Sequence, residues 1–147
     1  MSYDLVVYVA RSNMPTPADW SAAILKAGLP ASLPTSFDVA LHRGFLPCPV
    51  SGEIAGFEYF ASKDSGEKAR RLLPNAGIDF RVLFACSGKP RELISVVSAA
   101  SVLASIGKGF LEDVQINEVV QSDGVIEWAH EKVAEVASFG SFRRRPP

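Results

Sequence analysis

The chain has 147 residues, 48% of them hydrophobic and 21% charged, with a formal net charge of −1 at pH 7. That length suits one domain around one core, and the composition excludes a disordered chain and a fibrous repeat. The near-neutral balance excludes the broad basic field of a general nucleic-acid binder, so no nucleic-acid partner is expected.

Met1-Ser2-Tyr3-Asp4 leads straight into Leu5-Val6-Val7-Tyr8-Val9. The basic start, longer apolar stretch and small-residue cleavage site of a signal peptide are missing, so a cytoplasmic protein is expected. Tyr3 to Ala10 is β-branched, aromatic and almost continuously apolar, which predicts a central strand buried on both faces. Thr16-Pro17-Ala18-Asp19 supplies an N-cap, a proline at the first helical position and an acid where backbone N–H groups are unpaired. A helix starts there, with Trp20, Ala23, Ile24 and Ala27 as its core stripe and Gly28 as its stop.

Phe37 to Leu41 and Phe45 to Val50 are candidate strand segments broken by His42-Arg43-Gly44. Pro47 and Pro49 cannot donate ladder hydrogen bonds, so this piece belongs at a sheet edge. Ser51-Gly52 is a two-residue turn signal, and Glu53 to Ala61 returns as the partner strand of a hairpin. Lys63 to Leu73 has a short helical tendency and ends at the turn residues Pro74-Asn75-Ala76-Gly77. Ile78, Phe80, Val82, Phe84 and Cys86 then alternate along a strand expected to lie beside the first.

Pro90-Arg91-Glu92 opens a helix to about Ile106 so apolar that it should be the central buried one. Its serines interrupt it, and it is too short for the ~30 Å hydrocarbon core of a bilayer, so no membrane span is expected. Gly107-Lys108-Gly109 ends it, and Phe110 to Gln121 forms a short extended excursion. Asp123 caps a last helix from Gly124 to about Ser138, with Val125, Trp128, Ala129, Val133 and Val136 packing inward. Phe142 to Pro147 is basic and proline-ended, the pattern of a frayed tail. The whole predicts a single α+β domain over residues 1–147, a mixed or antiparallel sheet with helices packed mainly on one face. A ferredoxin-like core is compatible with this order.

Charge is unevenly placed. Bases predominate from Lys63 to Arg91, whereas Glu112, Asp113, Glu118, Asp123, Glu127, Glu131 and Glu135 face only Lys132. A carboxylate-rich surface attracts basic partners and speeds association, so Glu112, Asp113, Glu118, Glu127, Glu131 and Glu135 are the candidate partner-binding residues. An exposed Phe110, Leu111 or Trp128 among them would supply the anchor that binding hot spots need. A solvated helix face accounts for the same acids.

Other constellations offer less. Cys48, Cys86, His42 and His130 match a zinc site in number, but no pair has ligand spacing, and no metal or cofactor is expected. Both cysteines lie in apolar stretches and read as reduced, buried thiols. Cys86 with a histidine base, beside backbone donors at Ser87-Gly88, would be the nucleophilic alternative. Gly107-Lys108-Gly109 and Ser87-Gly88-Lys89-Pro90 match no phosphate-loop pattern and read as helix punctuation. Glu58 sits among aromatics; turned inward it would need Arg43, Arg81 or a hydroxyl, giving a possible pocket of Glu58, Arg81 and Cys86. Ser95, Ser98, Ser101 and Ser105 recur at helical spacing, which fits close helix packing with hydroxyls bonded back to their own helix.

Asp19-Trp20, Gly44-Phe45-Leu46-Pro47, Gly56-Phe57-Glu58 and Gly107-Lys108-Gly109 together give the chain a look that resembles small bacterial proteins of the toxin-immunity type. That resemblance implies a protein-binding function in which a toxin is neutralised by direct contact, and it assigns no residue a role. The leading expectation is therefore a cytoplasmic protein-binding module using its acidic C-terminal surface against a basic partner, such as a toxin domain. A small enzyme or ligand-binding domain with its pocket near Glu58, Arg81 and Cys86 is the alternative, and a homodimeric structural subunit a third.

Overall fold

Alternation in an unbroken apolar run sends side chains to both faces of a strand, and Leu5 to Val9 can be dry only where both faces are covered. Tyr3–Val9 is accordingly strand β1, the fourth of six in an antiparallel sheet, and Leu5 to Val9 are all buried. The computed structural model describes residues 2–144, with side chains placed through residue 138. The remaining elements are α1 (Pro17–Lys26), β2 (Arg43–Pro47), β3 (Gly56–Lys63), α2 (Glu67–Leu72), β4 (Phe80–Cys86), α3 (Pro90–Ile106), β5 (Phe110–Asp113), β6 (Glu118–Gln121) and α4 (Val125–Arg144). The sheet order is β2-β3-β4-β1-β5-β6. Without the outermost strands, β5-β1-β4-β3 joined in the sequence β1-α1-β3-β4-α3-β5 is a ferredoxin-like β-α-β-β-α-β arrangement.

The α1 signals act as their chemistry requires. Thr16 Oγ1 accepts the Asp19 N–H at 3.1 Å, Pro17 is the first helical residue, and Gly28 takes φ +74° after the last turn. Trp20 and Ile24 are fully buried. The indole N–H of Trp20 donates to the Ala99 carbonyl at 3.0 Å, and its ring packs among Phe37, Tyr59 and Phe84. One side chain thus pins α1 to α3 and to the sheet.

Helices α1, α3 and α4 lie on one face, over Leu5, Val7, Val9, Phe57, Tyr59, Val82, Phe84 and Leu111. Ser95, Ser98 and Ser101 of α3 are fully buried, while Ser105 is half-buried. Ser101 bonds back within the helix to the Ser98 carbonyl, but Ser95 reaches outward to the Cys48 carbonyl at 2.8 Å and so ties α3 to the β2–β3 loop. On the other face a smaller cluster of Val6, Tyr8, Ile78 and Phe110 is covered by α2 through Ala69. Gly107 and Gly109 are demanded by contact: a Cβ on Gly109 would stand 1.8 Å from the Tyr8 carbonyl oxygen, and one on Gly107 2.7 Å from Val9.

Several expected boundaries move. Phe37 to Leu41 is not a strand, because the Asp38 carboxylate takes the N–H groups of Ala40 and Leu41 at 2.9 and 3.0 Å and turns the chain. The Ser51-Gly52 turn is present with φ +49° and +79°, as the tight hairpin turn requires, but beyond it only Val50–Glu53 and the Cys48 N–H to the Ala55 carbonyl bridge the two segments, and the continuous partner strand begins at Gly56. The excursion from Phe110 is a second hairpin, β5 and β6, turning at Asn117 with φ +54°. Helix α4 continues to Arg144; residues 145–147 of the expected basic tail lie outside the described residues. Among the described residues no helix is long and apolar enough to cross a membrane.

Replacing Trp20 by Ala removes a fully enclosed ring and leaves the Ala99 carbonyl without its indole partner. Chemical denaturation is expected to show a loss of about 3–5 kcal/mol, seen as a lower midpoint at unchanged slope.

Candidate functional site

Strand alternation decides where the candidate acids go. Glu112 and Asp113 are neighbours on β5 and therefore point to opposite faces. Glu112 turns toward α2, where it pairs with Lys68 and accepts the Tyr8 hydroxyl at 3.4 Å. Asp113 turns toward the helices and is only 2% exposed. There it accepts the Tyr3 hydroxyl at 3.0 Å and the Gln115 amide at 2.7 Å, while burial and the Asp113 charge both push the Tyr3 hydroxyl pKa up. Glu118 accepts the Trp128 indole N–H at 3.2 Å. Glu127, Glu131 and Glu135 are exposed along α4. The six carboxylates thus do not form one surface, and Phe110, Leu111 and Trp128 are buried, not exposed as anchors beside them.

The expected pocket is also redrawn. A groove of about 400 Å³ opens at the end of β2, β3 and β4 beside the start of α3, walled by Phe45, Ile54, Phe57, Glu58, Cys86 and Glu92. Glu58 and Cys86 meet there, but Arg81 does not: it pairs across β4 with Ser62 and Tyr8, several residues along the strand. Glu58 is exposed on the face away from the helices, directly opposite Phe45, while its aromatic sequence neighbours Phe57 and Tyr59 point into the core. It makes no ion pair with Arg43 or Arg81 among the described residues.

Phe45 is 57% exposed and Ile54 is 90% exposed. The Phe45 ring lies over Gly56, where a Cβ would meet the ring at 2.6 Å and the Leu46 carbonyl at 2.5 Å. Glycine at 56 therefore leaves room for the aromatic ring against the strand. The sequence signal for this was Gly56 following the Ser51-Gly52 turn, since glycine inside a strand marks close approach of another group.

Burial holds the Cys86 thiol up at about 11, with Glu92 and Asp4 adding to the effect and the Gly88 backbone opposing it. It is protonated at neutral pH and a poor nucleophile. The backbone N–H of Ser87 is taken by the Glu92 carboxylate at 3.1 Å, and the Ser87 hydroxyl by the same oxygen at 2.8 Å, so this donor is committed to opening α3. His42 and His130 are likewise occupied: the His42 Nε2–H donates to the Phe45 carbonyl at 3.1 Å and the His130 Nε2–H to the Ala27 carbonyl at 2.7 Å. The His130 bond, invisible in the sequence, ties α4 to the end of α1, where a helix leaves carbonyls unpaired. Cys48 and Cys86 are both buried free thiols.

No family model, curated protein or solved structure matches this chain. What the surface can do follows from the groove itself: it can desolvate an apolar group against Phe45 and Ile54 and meet a cation at Glu58.

Two predictions separate these roles. Asp113→Ala strips two donors of their buried acceptor and should cost about 1–3 kcal/mol, whereas Glu135→Ala should stay within about 0.5 kcal/mol in the same denaturation assay. Burial also raises Cys48 to about 11 and pushes Tyr59 upward. Between the unfolded thiol value of 9 and the folded value of about 11 the native state keeps protons that the unfolded chain releases. Stability from the two thiols should therefore be full below pH 9 and decline as pH rises through 9 to 11, read as a falling melting temperature over that window.

Proposed function

We propose that the chain is a protein-binding module whose contact centre is the groove at the β2–β3 end of the sheet. The observation that carries this reading is the pair Phe45 and Ile54, standing exposed side by side at an apolar groove. Binding hot spots form where an aromatic or aliphatic anchor can be fully desolvated, and the Glu58 carboxylate beside them favours a partner bringing a base. The protonated, buried Cys86 thiol weighs against nucleophilic chemistry there.

The reading extends to a cytoplasmic protein of the toxin-immunity type whose partner is a basic domain. Exposed Glu127, Glu131 and Glu135 on α4 support that extension by offering a carboxylate ridge for steering, and the two free thiols suit a reducing compartment. A second reading, a small-ligand site, is favoured by the volume of about 400 Å³, which falls within the range of ligand pockets.

The test is affinity capture from bacterial lysate with wild type, Ile54→Asp, the charge reversal Glu131→Lys/Glu135→Lys, and Leu25→Asp as a control at an exposed position on α1. A protein retained by wild type and by the Leu25 control but lost with Ile54→Asp is the expected result. Loss with the α4 reversal as well supports the basic-partner extension. Capture that ignores Ile54, or no specific capture at all, overturns the binding reading.

A further inference from the structure

On the sheet face opposite the main core the cluster under α2 draws on β1 and β5, with Leu83 of β4 and Val119 of β6 at its margins, and takes in no residue of β2 or β3. On that bare β2–β3 side the register places Arg43 directly across from Phe60 and Phe45 directly across from Glu58, with Gly44 and Tyr59 between them turned to the other face. Phe60 and Glu58 in turn stand next to Leu83 and Ala85 on β4. Arg43, Phe45 and Glu58 are exposed, and Phe60, Leu83 and Ala85 are half-buried.

Arg43, Phe45, Glu58 and Phe60 stand at the corners of a four-sided patch, with the two aromatics on one diagonal and a cation and an anion at the ends of the other. A two-fold axis laid along the aromatic diagonal brings Arg43 of one copy over Glu58 of the other, twice, while Phe45 meets Phe45 and Phe60 meets Phe60. An isologous interface needs a patch that complements itself, and this arrangement does so in charge and in apolar character. We infer that the bare β2–β3 face is a dimerisation surface, occupied by the same face of a second copy of this chain and registered by reciprocal Arg43–Glu58 pairs.

Edge-to-edge pairing through β2 is the competing geometry, and the edge is blunted against it. Pro47 has no N–H to donate, the His42 ring occupies the Phe45 carbonyl, and beyond the strand Val50 is already bridged by Ala31. The copies therefore meet face to face.

This inference rests on the protein-binding reading for the exposure of Phe45 and adds a second copy of the chain as an occupant beside the Ile54 groove, and its failure is separable from that reading. Sedimentation velocity from low to high micromolar concentration is the measurement, on wild type, Arg43→Glu, Glu58→Arg and the double reversal Arg43→Glu/Glu58→Arg, each checked for a native circular dichroism spectrum. Wild type is expected to show a concentration-dependent dimer. Each single reversal, which sets like charges against each other twice per dimer, should weaken it at least about tenfold, and the double reversal should restore it. Both substituted positions are exposed, so a variant that loses the native spectrum is replaced by Glu58→Gln, for which a weaker dimer is expected. A wild type monomeric throughout, a dimer indifferent to the single reversals, or a double reversal that fails to rescue would each overturn the inference. A monomeric wild type that still captures a foreign protein through Ile54 would remove the dimer and leave the binding module standing.

Discussion

Everything in this fold is arranged around the need to enclose β1, which is hydrogen-bonded along both edges and apolar on both faces. A strand of that kind buries side chains in both directions, so it needs a layer above and a layer below. The chain supplies the first layer with α1, α3 and α4 and the second with α2 alone. A six-residue helix cannot cover a six-stranded sheet. The inequality between the layers leaves the β2–β3 side of the second face bare, and the exposed Phe45 ring lies there.

The same geometry sorts the charged residues into those that hold the fold together and those that are free to meet something else. Neighbours on a strand face opposite ways, so Glu112 and Asp113 are drawn into separate buried contacts with Lys68 and Tyr3. The acids of α4 at a spacing of four share one exposed helix face instead. Glu58 belongs with the second kind: its strand turns it outward beside Phe45, where carboxylate and ring together make a surface with direction to it. Cysteine and histidine chemistry follows the pattern of the first kind. Both thiols are buried, and both imidazoles donate to main-chain carbonyls that hold loops and helix ends in place.

Much of the architecture was legible in the residues because local signals and global packing agreed. The run Leu5 to Val9, the Thr16-Pro17 cap with its Trp20 and Ile24 stripe, the apolar α3 and the Ser51-Gly52 turn each specify a conformation by steric or hydrogen-bonding preferences that act within a few residues. Errors arose where a side chain overrode its own propensity. Phe37 and Val39 suit a strand, but the Asp38 carboxylate captured the backbone first, and the second hairpin hid in an acidic stretch because its turn rests on Asn117.

The sequence by itself determined β1, the α1 and α3 helices and the alternating β4, that one α+β domain encloses β1, and that Cys48 and Cys86 belong in the interior, since burial preference and periodicity are properties of short stretches of chain. The tertiary structure alone decided which acids remain free, that Glu58 joins Phe45 and Cys86 at one groove without Arg81, and which sheet face stays uncovered. Those outcomes depend on strand register and on which helix lands over which strand, and they bring together residues distant in the chain whose partners no local pattern names.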